Sequence, residues 1–284
     1  MTLEEKLLAL DLEGFYIEES VLSPMQVEEV HASTKATLLE GPEKIFGSTF
    51  LNHNQSLAPY LANHKIMEVV RSLLGSSARI ISTSGNMSSP SPEANPSPPG
   101  NLHVDWPWGQ SGASYIEGTL PNVVINLTTF WMLTDFTRQN GATIVSPGTH
   151  KAGKNPNGYP ELKKARPTEI QVEASAGSVL VFDGRLWHKG GTNRCVAPRI
   201  FWGVNYAPWW LNCHARRPCS VEHKIQSDAG YTPAGHWPYL KGEVHDLLPE
   251  QVRPLVRHWV DREWVMSKTE AEAAIWDFSY FRDE

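Results

Sequence analysis

The chain has 284 residues, 40 % hydrophobic and 20 % charged, which is ordinary for a globular protein and long for a single domain unless that domain is a decorated β barrel or sandwich. A formal charge of −6 gives no reason to expect nucleic acid as a partner. No apolar run approaches the roughly 20 residues that span a bilayer, so no membrane partner is expected.

Three cysteines (Cys195, Cys213, Cys219) make no disulfide framework. With a polar, acidic N-terminus unlike a signal peptide, they suggest reduced thiols and a cytoplasmic protein. Cys213 and Cys219 would pair only if the fold brought them together. The eleven tryptophans are accounted for mainly by core packing.

In chain order, residues 3–10 read as a short helix and Phe15–Ile17 as a strand. Ser23-Pro24-Met25-Gln26 predicts a helix start, with Ser23 as cap, Pro24 in the first turn and Gln26 closing a capping box; the helix runs to about Leu39. Residues 43–60 are irregular, with a strand near Ser48–Leu51. Ile66, Met67, Val69, Val70, Leu73 and Leu74 have helical spacing, ended by Gly75. Arg79–Ser84 is a strand. Residues 88–100 hold five prolines and predict a surface loop, either a lid or a passive connection. The longest β-branched and apolar run, 122–133, predicts a central strand. Asn140-Gly141 signals a hairpin returning as Thr143–Val145. Residues 151–167 read as an exposed insert. Strands follow at 169–172, 179–182 and 200–206. The tail beyond 208, with helical signals at 249–259 and 269–278, is expected to wrap the barrel.

The chemistry sits in two stretches. In Asn101-Leu102-His103-Val104-Asp105, a His and an Asp two apart on a strand share one face. His188 ends the apolar strand 179–182. Two imidazoles and one carboxylate on one face of a metal leave coordination positions open, which suits non-heme Fe(II) binding a cosubstrate and dioxygen. Taken singly, an H-x-D is unremarkable among eleven histidines, and His188 reads as easily as a core histidine. Arg199 strengthens the case. It follows the turn-rich 189–193 segment, and the pattern predicts a hairpin that returns Arg199 beside His188, where its guanidinium can bind a carboxylate at two points.

At these residues the sequence resembles the phytanoyl-CoA dioxygenase family of Fe(II)/2-oxoglutarate oxygenases. The matching pieces are His103-x-Asp105, Asn140-Gly141-Ala142-Thr143, Pro147-Gly148-Thr149-His150, the Gly177–Val179 strand start leading to His188, and Arg199. They run in order from about residue 10 to 210. The resemblance implies a mainly β fold with flanking helices, a double-stranded β-helix (jelly roll, cupin-like). It implies His103, Asp105 and His188 as iron ligands, and Arg199 as the partner of the distal carboxylate of 2-oxoglutarate. The expected organisation is one domain over 1–284: N-terminal helices to about 75, core about 78–207, and a wrapping C-terminal segment.

Asn101 shares the face of His103 and is a candidate for binding the cosubstrate, as is Thr143. Trp106, Trp108, Tyr115, Phe130 and Trp202 are candidates for the wall around a small-molecule substrate, with core packing the rival account of each. His150 is read as ordering its turn. Asp105 argues against a halogenase, which leaves that position to halide. A zinc hydrolase leaves Arg199 unexplained. A non-catalytic, cupin-like metal-binding or sensory protein remains the alternative to a hydroxylating or desaturating oxygenase.

Overall fold

The computed structural model describes residues 1–40, 49–91, 101–105, 123–152, 156, 167–211, 213, 221–228 and 239–261. Helix α1 (Leu3–Leu12) starts at a capping box: Thr2 Oγ1 accepts from the Glu5 amide at 3.3 Å, and the Glu5 carboxylate accepts from the Thr2 amide at 2.7 Å. Strand β1 (Phe15–Glu18) precedes α2 (Pro24–Glu40). The α2 box is the one its sequence predicts, with Gln26 Oε1 accepting from Ser23 N at 2.9 Å and Ser23 Oγ accepting from Gln26 N at 3.4 Å. Helix α3 (His64–Leu74) ends at Gly75, whose φ of 88° is open to glycine at little cost. In place of a strand at 48–51, Thr49 makes a single bridge to Thr83 and Phe50–Asn52 turn as a short 3-10 segment.

The remaining strands are β2 (Arg79–Ser88), β3 (Leu127–Met132), β4 (Ile144–Val145), β5 (Ile170–Gln171), β6 (Val179–Asp183), β7 (His188–Lys189) and β8 (Arg199–Ala207). A five-stranded antiparallel sheet has the order β1-β6-β3-β8-β2, and a three-stranded antiparallel sheet the order β5-β4-β7. Strand β3, the longest β-branched run, sits at the centre of the larger sheet. This is a jelly roll with helices on one face.

Two hairpins expected from the sequence are replaced by crossings between sheets. The chain does turn tightly at Asn140-Gly141, where Gly141 has a φ of 72° and a Cβ there would meet the Gly191 carbonyl oxygen at 2.5 Å. However, β4 then pairs with β5 and β7 rather than returning to β3. Likewise β7 pairs with β4, whereas Arg199 opens β8 between β3 and β2. Turn residues specify a reversal of direction; which edge the returning strand meets is decided by burial of both sheets' apolar faces.

Alternation along β8 separates two cores. Ile200, Trp202, Val204 and Tyr206 join α2, α3 and the N-terminal segment in one apolar cluster, while Phe201 joins Met132, Phe136, Val145, Leu180 and Phe182 in another between the sheets. Phe50 lies over Gly85, where a Cβ would sit 2.5 Å from its ring, and meets Trp202 edge-on at 4.7 Å. After β8 come α4 (Val221–Asp228), β9 (Leu240–Lys241), α5 (Gly242–Leu247), α6 (Arg253–Val256) and β10 (Val260–Asp261), the last pairing in parallel with β9. Leu240, Val244, Leu248, Val252, Leu255, Val256 and Trp259 complete the helix-side core, so this part of the tail packs back onto the same body. Among the described residues, no helix is long and apolar enough to cross a membrane. Cys195 is a free thiol. Cys219, most of the Pro-rich segment, most of 151–167 and the helical signal at 269–278 lie outside the described residues.

Candidate metal centre

His103 forms a single antiparallel bridge with His188, the first residue of β7. Each backbone amide donates to the other residue's carbonyl, at 2.9 and 3.0 Å. Directly opposed residues of an antiparallel pair project to one face, so both rings point the same way, 4.3 Å apart between centroids. Asp105, two residues on, shares the face of His103. Its amide donates to the Gly184 carbonyl at 2.7 Å. That carbonyl belongs to a stiff turn: Arg185 grips Asp183 at two points (Nε–Oδ1 2.9 Å, Nη2–Oδ2 2.6 Å), with both side chains buried.

Asp105 Oδ1 lies 3.6 Å from His188 Nε2 and 4.0 Å from His103 Nε2, and the ligand atoms of the three residues fall within 4.8 Å of one another. Ligands at right angles around a metal, bonded at about 2.1 Å, stand about 3 Å apart. Convergence by up to about 2 Å at the widest pair would therefore close the set. Both imidazoles are oriented by the same device: His103 Nδ1 meets the Asn101 carbonyl at 2.7 Å, and His188 Nδ1 meets the Leu186 carbonyl at 3.0 Å. A carbonyl accepts only, so Nδ1 carries the proton and the Nε2 lone pair is left for a metal. Burial, and then the neighbouring His103, push the His188 pKa down to about 4, although Asp105 opposes the shift. The ring is neutral at physiological pH, the form that ligates. Thr128 Oγ1 lies 2.7 Å from Asp105 Oδ2.

Arg199 is buried at 3 % exposure, and its Nε and Nη1 have no hydrogen-bond partner among the described residues. Its guanidinium lies against the rings of Phe136 at 4.6 Å and Phe201 at 5.0 Å. Desolvation lowers its pKa to about 10, so it remains charged at neutral pH. A buried cation with two unused donors is costly unless an anion joins it. A carboxylate would supply that charge. Phe130 links the surroundings of Arg199 to the candidate ligands: its ring is 4.7 Å from Phe201, 5.0 Å from Phe182 and 6.1 Å from His188.

The other expected site residues are placed as follows. Thr143 is buried two residues before Val145, which lies opposite His188, so the extended chain carries Thr143 on the face of the metal residues. Asn101 is exposed, and its contribution among the described residues is the carbonyl that orients His103. Trp202 does not belong to the pocket wall. It projects to the helix side of β8, fully buried, and donates from Nε1 to Thr34 Oγ1 at 2.7 Å. The reason is parity: Arg199 and Phe201 face inward, so Trp202 faces out. His150 is buried in its turn, its Nε2 3.1 Å from the Asp11 carbonyl. Trp106, Trp108 and Tyr115 lie outside the described residues. Phe201, Phe182, Thr128 and Asn205 escaped the sequence reading. Strand alternation counted from Arg199 would have flagged Phe201 and Asn205.

Among curated proteins, the chain is 32 % identical over 139 residues to dioxygenase af480 of Aspergillus fumigatus, covering 47 % of this chain and 38 % of that protein. It is 30 % identical over 177 residues to dioxygenase hkm4 of Aspergillus hancockii, covering 61 % and 48 %. The matches thus span less than half the length of these relatives. Among solved structures, the non-heme monooxygenase ThoJ in its apo form superposes with a TM-score of 0.61 at 15 % identity over 96 % of this chain and 97 % of that one. HygX from Streptomyces hygroscopicus, with nickel and 2-oxoglutarate bound, gives 0.59 at 16 % over 75 % and 89 %. At such identities the structural likeness speaks for the fold. The sequence profile of the phytanoyl-CoA dioxygenase family matches residues 10–201, a span that takes in His103, Asp105, His188 and Arg199, and the chain belongs to that family.

Proposed function

We propose that this chain is an Fe(II)- and 2-oxoglutarate-dependent dioxygenase that hydroxylates an unactivated C–H bond of a small molecule. The observation that carries the reading is the pairing of two incomplete sites in one barrel: a three-ligand facial set at His103, Asp105 and His188, and a buried Arg199 with two unsatisfied donors. A metal alone answers the first and leaves the second unexplained. A dicarboxylate cosubstrate answers both, chelating the metal at one end and meeting Arg199 at the other. Family membership and relatives named dioxygenases support the same reading.

Iron(II) held there, with 2-oxoglutarate and dioxygen, supplies the oxidation of the cosubstrate to succinate and carbon dioxide and the oxidising power applied to the substrate. The protein's part is placement. The Asn101 and Leu186 carbonyls hold the two imidazoles in the ligating tautomer. Arg199 anchors the distal carboxylate, and Phe130, Phe182 and Phe201 keep that end dry, which strengthens the ion pair. Thr143 and Asn101 are the candidates for further cosubstrate contacts, and Phe130 for a substrate contact. Asp105 occupies the position a halide would take, which favours hydroxylation or desaturation. A small-molecule substrate is supported by solved structures of this fold, in which SnoN holds nogalamycin RO and HygX holds hygromycin B.

The test is to load metal-free protein with Fe(II) under nitrogen, add 2-oxoglutarate and air, and quantify succinate across a panel of small molecules. Iron-dependent succinate above the level without protein is expected even before the right substrate is found, and it should rise with that substrate. Bound iron with no succinate under any condition would favour the non-catalytic alternative.

A further inference from the structure

We propose that Thr128 is a positioning residue for the metal ligand Asp105, and that it acts at the end of a one-way hydrogen-bond chain: Ser82 to Asn205, Asn205 to Thr128, Thr128 to Asp105. The chain follows one row of the larger sheet. Thr128 on β3 pairs with Asn205 on β8, and Asn205 pairs with Ser82 on β2. Side chains of directly paired residues project to one face, so the three stand side by side beneath Asp105.

Proton bookkeeping sets the direction. Thr128 Oγ1 lies 2.7 Å from Asp105 Oδ2 and also 2.7 Å from Asn205 Oδ1, with Asn126 Oδ1 farther off at 3.3 Å. A hydroxyl has one proton to give. The ionised carboxylate is the strongest of the three acceptors and takes it. The Asn205 contact would then press two oxygens together at 2.7 Å with no proton between them. A half-turn of the Asn205 amide removes the conflict, because amide oxygen and nitrogen exchange places with almost no change of shape. The Asn205 nitrogen then donates to Thr128. Its oxygen faces Ser82 Oγ, 3.0 Å away, and accepts the Ser82 proton. Both hydroxyl protons in the row are used, and each bond of the chain points toward Asp105. Thr128 is fully buried, so no water competes for it.

The consequence is for ligation. With Oδ2 committed to Thr128, only Oδ1 is left to the metal, and Oδ1 is the oxygen nearest both Nε2 atoms. Asp105 is thereby held as a one-oxygen ligand. A carboxylate free to swing would bind through both oxygens and occupy a position that the cosubstrate or dioxygen needs.

The experiment titrates the full metal-free chain with Co(II), followed by visible absorption, which reports affinity and coordination geometry without turnover. Thr128→Val should weaken Co(II) binding by about 10- to 100-fold, the usual effect of losing such a partner, and should alter the spectrum. Thr128→Ser keeps the donor and should restore both. Ser82→Ala, at the far end, should give a smaller loss. Thermal melts check folding. If Thr128→Val does not fold, native-like Co(II) affinity in Ser82→Ala overturns the chain. Native affinity and spectrum in folded Thr128→Val, or an equal loss in Thr128→Ser, also overturn it. The proposal rests on the metal assignment, and His103→Ala separates the two. Native binding by His103→Ala sinks the assignment, whereas loss in His103→Ala with none in Thr128→Val sinks only the chain.

Discussion

His103 and His188 face each other across an antiparallel bridge, each amide donating to the other's carbonyl. Two candidate metal ligands from stretches some eighty residues apart are thus held by their own backbones. The side chains need only the Nδ1 contacts to the Asn101 and Leu186 carbonyls to set their tautomer. Replacing either ring by Ala leaves the bridge intact. His103→Ala and His188→Ala should therefore fold, yet lose tight metal binding and iron-dependent succinate formation. Metal titration with circular dichroism checks both halves; full iron affinity in either variant would contradict the assignment.

Arg199 should govern affinity for 2-oxoglutarate. Removing one partner of a buried ion pair costs about 3–5 kcal/mol, or roughly two to three orders of magnitude in apparent affinity. Arg199→Leu should show this in the cosubstrate saturation curve while keeping its metal. An unchanged curve would remove the arginine from the site.

Acid should destabilise the metal-free protein through His188. Between the usual 6.5 and about 4, the unfolded chain carries a proton on this ring and the folded chain does not. Protons therefore favour unfolding in that window. The contribution is whole above pH 6.5, falls on acidification, and is fully lost below about 4. A shift of this size corresponds to about 3 kcal/mol. Chemical denaturation at a series of pH values should show the slope, and His188→Gln should flatten it. An equal slope in that variant would place the acid sensitivity elsewhere.

Asp105 should keep the product free of halogen. With the carboxylate in place no ligand position is left for halide, so chloride or bromide should leave the product mass unchanged. Asp105→Gly should bind iron weakly, because two histidines remain without a charged ligand. A halogen isotope pattern from the native protein would refute this role.

Trp202 should matter to stability and not to the cosubstrate. Trp202→Phe removes the donor to buried Thr34 and should cost on the order of 1–3 kcal/mol, seen in denaturant midpoints. Its saturation curve for 2-oxoglutarate should match that of the native chain. A large rise in KM with unchanged stability would return Trp202 to the pocket.

The sequence by itself determined the local pieces. Ser23 and Gln26 cap α2 as their spacing requires, Gly75 ends α3, and the β-branched run around Phe130 forms the centre of a sheet. His103 and Asp105 could be placed on one face because strand periodicity is local. What only the tertiary structure decided is partnership between distant segments. The turns after β3 and β7 were legible as reversals, yet both strands cross to the other sheet, because burying two apolar faces at once outweighs pairing with the nearest neighbour in sequence. Trp202 and Phe201 are both large and apolar, and composition does not say which faces the pocket. That parity is set by whichever side the helices cover. Thr128 and Asn205 were unremarkable in the sequence for the same reason. Their value lies in a shared row across β3 and β8, and a row exists only once register is fixed by contacts between residues far apart in the chain.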